Sequence, residues 1–424
     1  MNEWKDKRVL IAGRGVSGAG AYDALTKAGA TCVFYDGDDT AAQEFAPDTV
    51  VVSPGIPEDA PVFALAERLG APTLGEFELG ARLNEKPVVA VTGTNGKTTV
   101  TKLIGQMLTN AGMRVAVCGN VGESFARVAA CGGYDVAVTE VSSFQLLSAV
   151  SFRPHVAVIT NISPDHLDRH KTVQAYCAAK RRIAQCQTEE DFLILSQDDI
   201  PLYALEDFMP RAQTLYTSVR GRLRGAYVLQ DKIYWCGEYI CDTDRVRMEG
   251  EHNLKNALSA VCAAKAMGVE NAPIVDALTS FLPDAHRIEL VAHKNGKNYY
   301  NDSKGTNISA ALAAANAMCG STCMLVGGSD KGYEYDDLFR RLPPNVVRVA
   351  AVGETAQKVK DAAARCGFAA VRAFSDFSEA FNWAADGEEE NVLLSPASAS
   401  FDMFSSYRER GEAFVRLVKN AGKE

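Results

Sequence analysis

The chain has 424 residues and carries 44 Lys and Arg against 53 Asp and Glu, a formal charge of −9. Hydrophobic residues make up 47% and charged residues 23%, which excludes global disorder and, at roughly 150 residues per domain, suggests two or three folded domains. The acidic balance argues against a nucleic-acid surface, so an anionic ligand would have to be held by local donors. No stretch approaches the roughly 18 apolar residues of a membrane span, and the start, MNEWKDKRVL, lacks the apolar run of a secretion signal. The 11 cysteines are scattered without a CxxC pair, and most are expected to be reduced, small and buried.

Along the chain, short β-branched runs alternate with Gly-containing turns and Ala- and Leu-rich helical stretches, the rhythm of parallel α/β layers. In the first block, Arg8 to Ala12 reads as a strand. The turn Gly13-Arg14-Gly15-Val16-Ser17-Gly18 and a helix to about Gly29 follow it. Thr31 to Tyr35 is a second strand, ending at Asp36, and Val50 to Val52 a third, closed by Ser53-Pro54-Gly55. A polar join, Asn84-Glu85-Lys86-Pro87, opens the second block. There Val88 to Val91 is a strand, Thr92 to Lys97 a loop and Thr98 to about Ala111 a helix, with strands at 115–117, 135–139 and 156–160. The Arg-, Tyr- and Gly-rich stretch 220–250 is expected to form a small β-excursion. The third block starts near Leu282-Pro283-Asp284, with strands near 299–300, 324–326, 347–352 and 392–394 and an amphipathic last helix from about Tyr407 to Lys419.

The strongest local signal is Gly93-Thr94-Asn95-Gly96-Lys97-Thr98-Thr99 between a strand and a helix, the context of a phosphate loop. Glycines let backbone N–H groups close around phosphate oxygens, and the helix N-terminus adds partial positive charge. Lys97 would reach the outer phosphates and Thr98 would offer its hydroxyl to Mg²⁺. The general pattern has a small residue at position 91, where this chain has Val91. Glu140 ends a strand on the side where ligands bind such sheets, and beside a phosphate loop its natural role is to hold Mg²⁺. The run Asp165-His166-Leu167-Asp168 can supply metal ligands or acid–base groups. Lys180 lies in an Ala-rich helix, where a lysine ordinarily snorkels to the surface. Asn253 and Asn256 would share a helix face, Arg287 opens the third block, and Asp302 could accept hydrogen bonds from a ribose; taken singly, each also fits a cap or a surface group. Gly13-x-Gly15-x-x-Gly18 with Asp36 can receive any diphosphate.

Together these residues resemble the Mur ligase family of peptidoglycan synthesis, in order and over nearly the whole chain. The stretch GTNGKTT at 93–99 is similar to the wider ligase family, folylpolyglutamate synthetases included. EVSSFQL at 140–146, NDSKGTN at 301–307 and LSPASASFDMFSSYRERG at 394–411 resemble the member that adds D-glutamate. The resemblance implies an α/β protein of three domains. These are a Rossmann-like UDP-sugar-binding domain at 1–85, a central P-loop ATPase domain with a mostly parallel sheet at 86–282, and a Rossmann-like amino-acid- and ATP-binding domain at 283–424. It implies ATP-dependent ligation of D-glutamate to UDP-N-acetylmuramoyl-L-alanine through an acyl phosphate, in a cytoplasmic monomer without membrane or nucleic-acid partners.

By the same resemblance Gly15, Val16, Ser17, Asp36, Gly55 and Asn120 would contact the UDP-sugar. The 93–99 loop with Asn256, Arg287 and Asp302 would bind ATP. Two Mg²⁺ sites would involve Thr98, Glu140, His166 and Lys180, the last as a carbamate. Thr306, Lys331, Ser400, Phe401 and Tyr407 would surround D-glutamate. Lys97, His166, Lys180 and Lys304 would serve the chemistry. Three rival readings are weaker. A nicotinamide oxidoreductase leaves the phosphate loop, Glu140 and Arg287 unexplained. A folate polyglutamylase would begin at the ATPase domain. A scaffold has no use for the set Lys97, Thr98, Glu140, His166 and Lys180.

Overall fold

The computed structural model describes residues 2–248, 250–330 and 332–421, so Lys331, expected at the amino-acid subsite, lies outside the described residues. The fold is α/β, built on three sheets that are mostly parallel. The chain divides into two compact units, Met1–Pro164 with Thr172–Phe281, and Asp165–Lys171 with Leu282–Glu424.

The first unit contains two sheets. Strands β1 (Arg8–Ala12), β2 (Thr31–Tyr35), β3 (Thr49–Val52) and β4 (Thr73–Gly75) form a parallel sheet in the order β2-β1-β3-β4. Alternate residues of β1 face opposite layers, as a strand requires. Val9 and Ile11 pack with Ala21, Ala24 and Leu25 of the Val16–Lys27 helix, whereas Leu10 and Ala12 pack with Val62, Leu65 and Ala66 of the Pro61–Leu69 helix.

The second sheet comprises β5 (Val88–Thr92), β6 (Val115–Gly119), β7 (Val136–Glu140), β8 (Val156–Ile159), β9 (Phe192–Ser196), β10 (Gln213–Ser218), β11 (Gly225–Leu229), β12 (Lys232–Trp235) and β13 (Glu238–Asp242). Their order is β13-β12-β11-β10-β9-β8-β5-β7-β6. Every residue of β5 and β7 is buried, because helices cover both faces; such strands read as continuous apolar runs rather than alternating ones. From β5 the chain passes to β6 and β7 on one side and to β8 on the other. This reversal makes β5 the topological switch point, where open α/β sheets bind ligands at the carboxyl ends of their strands.

The expected β-excursion is the antiparallel end of this sheet, β11 to β13, and not a separate element. Its turns are two-residue hairpins with positive φ at both positions: Gln230 and Asp231 at 50° and 54°, then Cys236 and Gly237 at 48° and 93°. These backbone angles match the right-handed twist of the flanking strands.

The second unit holds β14 (Glu289–Lys294), β15 (Lys297–Asn301), β16 (Thr322–Val326), β17 (Val346–Val352), β18 (Val371–Phe374) and β19 (Asn391–Leu394), ordered β14-β15-β19-β16-β17-β18. All pairs are parallel except the β14–β15 hairpin, which turns at Asn295-Gly296. Both antiparallel hairpin ends carry a register shift, at Ile233/Tyr234 and at Leu290/Ala292.

Three sequence-based expectations need correction. Strands β4, β9, β10, β14 and β18 have no counterpart in the sequence reading: β4, β10, β14 and β18 are short or interrupted by charged or polar residues, whereas β9, Phe-Leu-Ile-Leu-Ser, is a continuous apolar run that the reading passes over. Strand β7 ends one residue later than expected, which puts Glu140 inside it. The cysteines are all free, as expected, but Cys118, Cys177, Cys241, Cys262 and Cys323 are the five that are buried, whereas Cys131, Cys236 and Cys319 are exposed. Among the described residues no helix is long and apolar enough to cross a membrane.

Gly225 has φ +141°, and a Cβ there would lie 2.0 Å from the Tyr216 carbonyl oxygen across the β10–β11 pair. Gly225→Ala should therefore destabilise the first unit by about 2 kcal/mol or more, read as a lower urea midpoint; an unchanged midpoint would show that this pairing can relax.

Candidate active site

The first glycine turn joins β1 to the Val16–Lys27 helix. Gly13 has φ +101°, and a Cβ on it would sit 2.6 Å from Ser53 Oγ. A Cβ on Gly18 would sit 1.9 Å from the Gly13 carbonyl oxygen, whereas Gly15 has open space around it. Gly13 and Gly18 thus let the helix start press against its strand, and Gly15 leaves the helix N-terminus uncovered. Gly15 is the N-cap of this helix and Val16 and Ser17 open it, while the turn before it packs against Ser53. Val16 is 67% exposed, high for an aliphatic side chain. Arg14 lays its guanidinium 5.5 Å from the Phe34 ring centre. Asp36 is exposed just past β2, where its Oδ1 accepts from the Asp38 backbone N–H at 3.1 Å.

The phosphate-loop expectation becomes specific geometry. Val91 lies within β5 and pairs with Glu140, so the strand continues to Thr92 and the turn begins at Gly93. That accounts for the departure from the general spacing. Gly93 has φ +145°, with Thr160 Oγ1 2.0 Å from where a Cβ would be; Gly96 has φ +81°, with Asn256 Oδ1 2.2 Å from the equivalent point. The following loop on β8 holds the turn. Asn161 accepts from the Thr94 N–H through its carbonyl at 3.0 Å and from the Asn95 N–H through its side chain at 2.8 Å. Thr160 Oγ1 and Asn161 Nδ2 both donate to the Asn95 carbonyl, at 2.6 and 2.9 Å. Thr94 Oγ1 meets the Tyr176 hydroxyl at 3.0 Å. Lys97 Nζ donates to the carbonyls of Gly93 and Thr94, at 3.0 and 2.9 Å. Thr98 and Thr99 are buried in the first turn of the Lys97–Asn110 helix.

Glu140 is 3% exposed. Its Oε1 accepts from Asn120 Nδ2 at 2.7 Å, and its backbone carbonyl accepts from the Asn120 N–H at 2.8 Å. Asn120, expected at the UDP-sugar, is thus tied to the expected metal ligand. Glu140 Oε2 is buried without a hydrogen-bond partner, which suits a hard cation that seeks oxygen donors. Lys180 is 2% exposed, and its ammonium donates to the Gly93 carbonyl at 2.7 Å and lies 4.6 Å from the Tyr176 ring centre. A lysine in an Ala-rich helix, expected to snorkel, is buried against the phosphate loop. Among the described residues no group of three His, Cys, Asp or Glu is arranged to hold a metal.

The second unit contains the remaining candidates. His166 has φ +53°, with Nε2 3.9 Å from Asp165 Oδ2. Asp165 also accepts from Asn307 Nδ2 at 3.1 Å and from the Tyr333 hydroxyl. Asp302 is buried; its N–H donates to the Leu394 carbonyl at 2.7 Å and its Oδ2 accepts from Ser395 Oγ at 2.6 Å. Burial pushes its carboxyl up to about 7, against the lowering effect of the Ser395 hydroxyl and the Arg287 cation. Arg287 Nε is itself buried without a hydrogen-bond partner. Lys304 lies 5.3 Å from the Tyr407 ring centre, and its carbonyl accepts from the Thr306 N–H at 2.9 Å. Ser400 is buried and Phe401 is 75% exposed.

Thr98, Glu140 and Lys180 fall in the first unit and His166 in the second, so each is described within its own unit. Residues that the sequence reading did not single out also shape the site: Thr160, Asn161 and Tyr176 around the phosphate loop, and Ser303, Tyr333, Ser395 and Arg410 in the second unit. Asn161 stood at a strand end beside the Asp-His motif and was the most findable of them. Arg410 reads as one more charge on an amphipathic helix.

Because the folded state favours protonated Asp302, its contribution to stability is greatest below its ordinary value of 3.8 and declines as pH rises through about 7. Asp302→Asn should flatten the fall in stability over that window, measured by urea titration at stepped pH. An unaltered slope would mean that the carboxyl ionises as freely in the fold as in the open chain.

Comparison with known proteins places this geometry in a family. The Mur ligase middle domain matches residues 91–264, and the Mur ligase glutamate ligase domain matches 286–398. The UDP-N-acetylmuramoylalanine–D-glutamate ligase of Caldanaerobacter subterraneus subsp. tengcongensis is 38% identical, over 98% of this chain and 99% of that protein. That of Pelotomaculum thermopropionicum is 39% identical over 100% of both. Among solved structures, a pseudomurein peptide ligase type C from Methanothermus fervidus superposes with TM-score 0.66 at 17% identity, covering 98% of this chain and 100% of that one. MurF from Acinetobacter baumannii gives 0.64 at 18% identity, covering 98% and 92%. These distant structures share the fold. Full-length likeness at this level, together with the two domain matches, shows that the chain belongs to the Mur ligase family.

Proposed function

We propose that this protein is an ATP-dependent ligase that joins D-glutamate to UDP-N-acetylmuramoyl-L-alanine, releasing ADP and phosphate, in the synthesis of peptidoglycan precursors. The observation that carries this reading is the near-complete likeness, at 38% identity over 98% of the chain, to ligases named for that reaction. The same reading divides the chain into functional parts at 1–85, 86–282 and 283–424, and makes it a cytoplasmic monomer acting on small molecules.

A carboxylate at neutral pH is a poor electrophile. Transfer of the γ-phosphoryl group of ATP onto it gives an acyl phosphate; the D-glutamate amine then attacks the carbonyl carbon, and phosphate leaves. The protein's tasks are positioning and charge stabilisation. The N–H groups of 93–99 would cradle the phosphates. Lys97, now donating to its own loop, would turn its ammonium to the outer phosphates, and Arg287 would add a second cation. Asn256 and Asp302 would hold the rest of the nucleotide, and Lys304 would lie by the transferring group. Gly15, Val16, Ser17, Asp36, Gly55 and Asn120 would hold the UDP-sugar. Thr306, Lys331, Ser400, Phe401 and Tyr407 would hold the amino acid. His166 would help to place its amine.

Thr98 and Glu140, with His166 and a carbamylated Lys180, would hold Mg²⁺ at two sites. Bound Mg²⁺ would offset the charge that gathers on the phosphates. The buried Oε2 of Glu140 supports the choice of that residue, and the burial of Lys180 beside Gly93 supports a modification that replaces an ammonium by an oxygen-bearing anion.

Phosphate release from ATP with UDP-N-acetylmuramoyl-L-alanine should occur with D-glutamate and not with L-glutamate, D-aspartate or meso-diaminopimelate. Release with none of them despite ATP binding would sink the acceptor assignment. Lys97→Ala should lower turnover by about 100-fold or more while leaving the fold intact, and normal turnover would remove the phosphate-loop role.

A further inference from the structure

Among the described residues of the second unit, Arg410 is the most deeply buried cation for which the proposed reaction has no use. It is 3% exposed on the Tyr407–Asn420 helix. Its guanidinium makes four hydrogen bonds: Nε to Ser303 Oγ at 3.0 Å, Nη2 to the Ser303 carbonyl at 2.9 Å and the Ser398 carbonyl at 3.0 Å, and Nη1 to the Ala399 carbonyl at 3.0 Å. Ser303 Oγ donates onward to the Tyr407 carbonyl at 2.8 Å. Nη1 also lies 3.0 Å from where a Cβ on Gly328 would be, so the loop after β16 closes over it. One planar fork therefore fixes the segment before Lys304 and Thr306, the segment before Ser400 and Phe401, and the start of the helix that carries Tyr407. A rigid five-donor fork can do this where a flexible ammonium cannot.

All four acceptors are uncharged. The acids whose fields reach it are Asp402, which is exposed, and Asp302, whose own carboxyl burial pushes up to about 7. Burial outweighs both and lowers the guanidinium to about 10, so it remains a cation at neutral pH with its charge undercompensated. A buried charge acts through a low-dielectric surrounding and is screened little by salt.

We infer that Arg410 is a positioning and specificity-determining residue of the amino-acid subsite: it holds the loops of that subsite in one register, and its buried charge favours an amino acid that brings a second carboxylate. The inference rests on the proposed D-glutamate reaction and deepens it. D-Glutamine is nearly isosteric with D-glutamate and lacks the side-chain charge, which makes it the discriminating probe.

The experiment measures kcat and KM for D-glutamate, D-glutamine and ATP in the full-length wild type, Arg410→Gln and Arg410→Lys, with melting curves as a check on folding. Arg410→Gln should raise the KM for D-glutamate about tenfold and leave that for ATP within about twofold. Its preference for D-glutamate over D-glutamine, as a ratio of kcat/KM, should fall about tenfold. Arg410→Lys keeps the charge and loses the fork, so both amino acids should weaken together and the ratio should stay near that of the wild type. An unchanged ratio in a folded Arg410→Gln protein, or an equal rise in the KM for ATP, would reduce Arg410 to a structural role. If Arg410→Gln does not fold, a lost preference in Arg410→Lys overturns the charge argument and a retained one supports it. A wild type that releases phosphate with neither amino acid overturns the reaction assignment itself, and this inference with it.

Discussion

Two ammonium groups share one carbonyl oxygen at the centre of the first unit. Lys97 Nζ and Lys180 Nζ donate to the Gly93 carbonyl at 3.0 and 2.7 Å. Their nitrogens are therefore no more than about 6 Å apart, and at an effective dielectric near 20 their repulsion is worth about 3 kcal/mol. The loop withstands it because its backbone has little freedom to yield: Thr160 Oγ1 occupies the space beside Gly93, and Asn256 occupies the space beside Gly96. The concentrated positive charge is the local donor set that an acidic protein needs in order to hold a polyphosphate. Under the proposed reaction, nucleotide binding and carbamylation of Lys180 both relieve the repulsion, the first by adding an anion and the second by turning one cation into an anion.

The parallel sheet makes this crowding possible. Strands β5, β7 and β8 run side by side in one direction, so the loop after β5, the carboxylate ending β7 and the Thr160-Asn161 pair after β8 emerge at the same edge. The second unit also gathers its loops at strand ends but stabilises them differently. One buried guanidinium is added there to close glycine turns such as Gly327 and Gly328, and its partners are four backbone and hydroxyl oxygens.

The sequence revealed what is local. The 93–99 stretch, the 13–18 turn, the bounds of β1 and the places of β5 and β8, each to within one residue at its end, depend on glycine conformation and on apolar runs that any short window displays. Partners distant along the chain were hidden. Asn256 was chosen by resemblance, and its contact with Gly96 spans 160 positions; Asn161 is 66 positions from Asn95 and Arg410 is 107 from Ser303. Such pairings depend on how layers close, which periodicity does not encode. Lys180 marks the limit most plainly: its helix resembles many surface helices, and only the packing of that helix on the phosphate loop makes its burial visible. Likewise, β14 lacks a strong apolar alternation, although the strand expected near 299–300 and the Asn295-Gly296 turn before it are a hairpin signal.

The outermost antiparallel hairpins, β12–β13 and β14–β15, have a consequence for the chain among its own copies. Each ends one side of a sheet, and an edge strand is a place to which another extended segment could add. A register shift kinks both hairpins, and the outermost strands place Glu238 and Asp242 on one edge and Glu289, His293 and Lys294 on the other. Bends and charges of this kind make a poor template for intermolecular strand addition. These hairpin edges thus discourage aggregation in a crowded cell, while the middles of the sheets are buried on both faces.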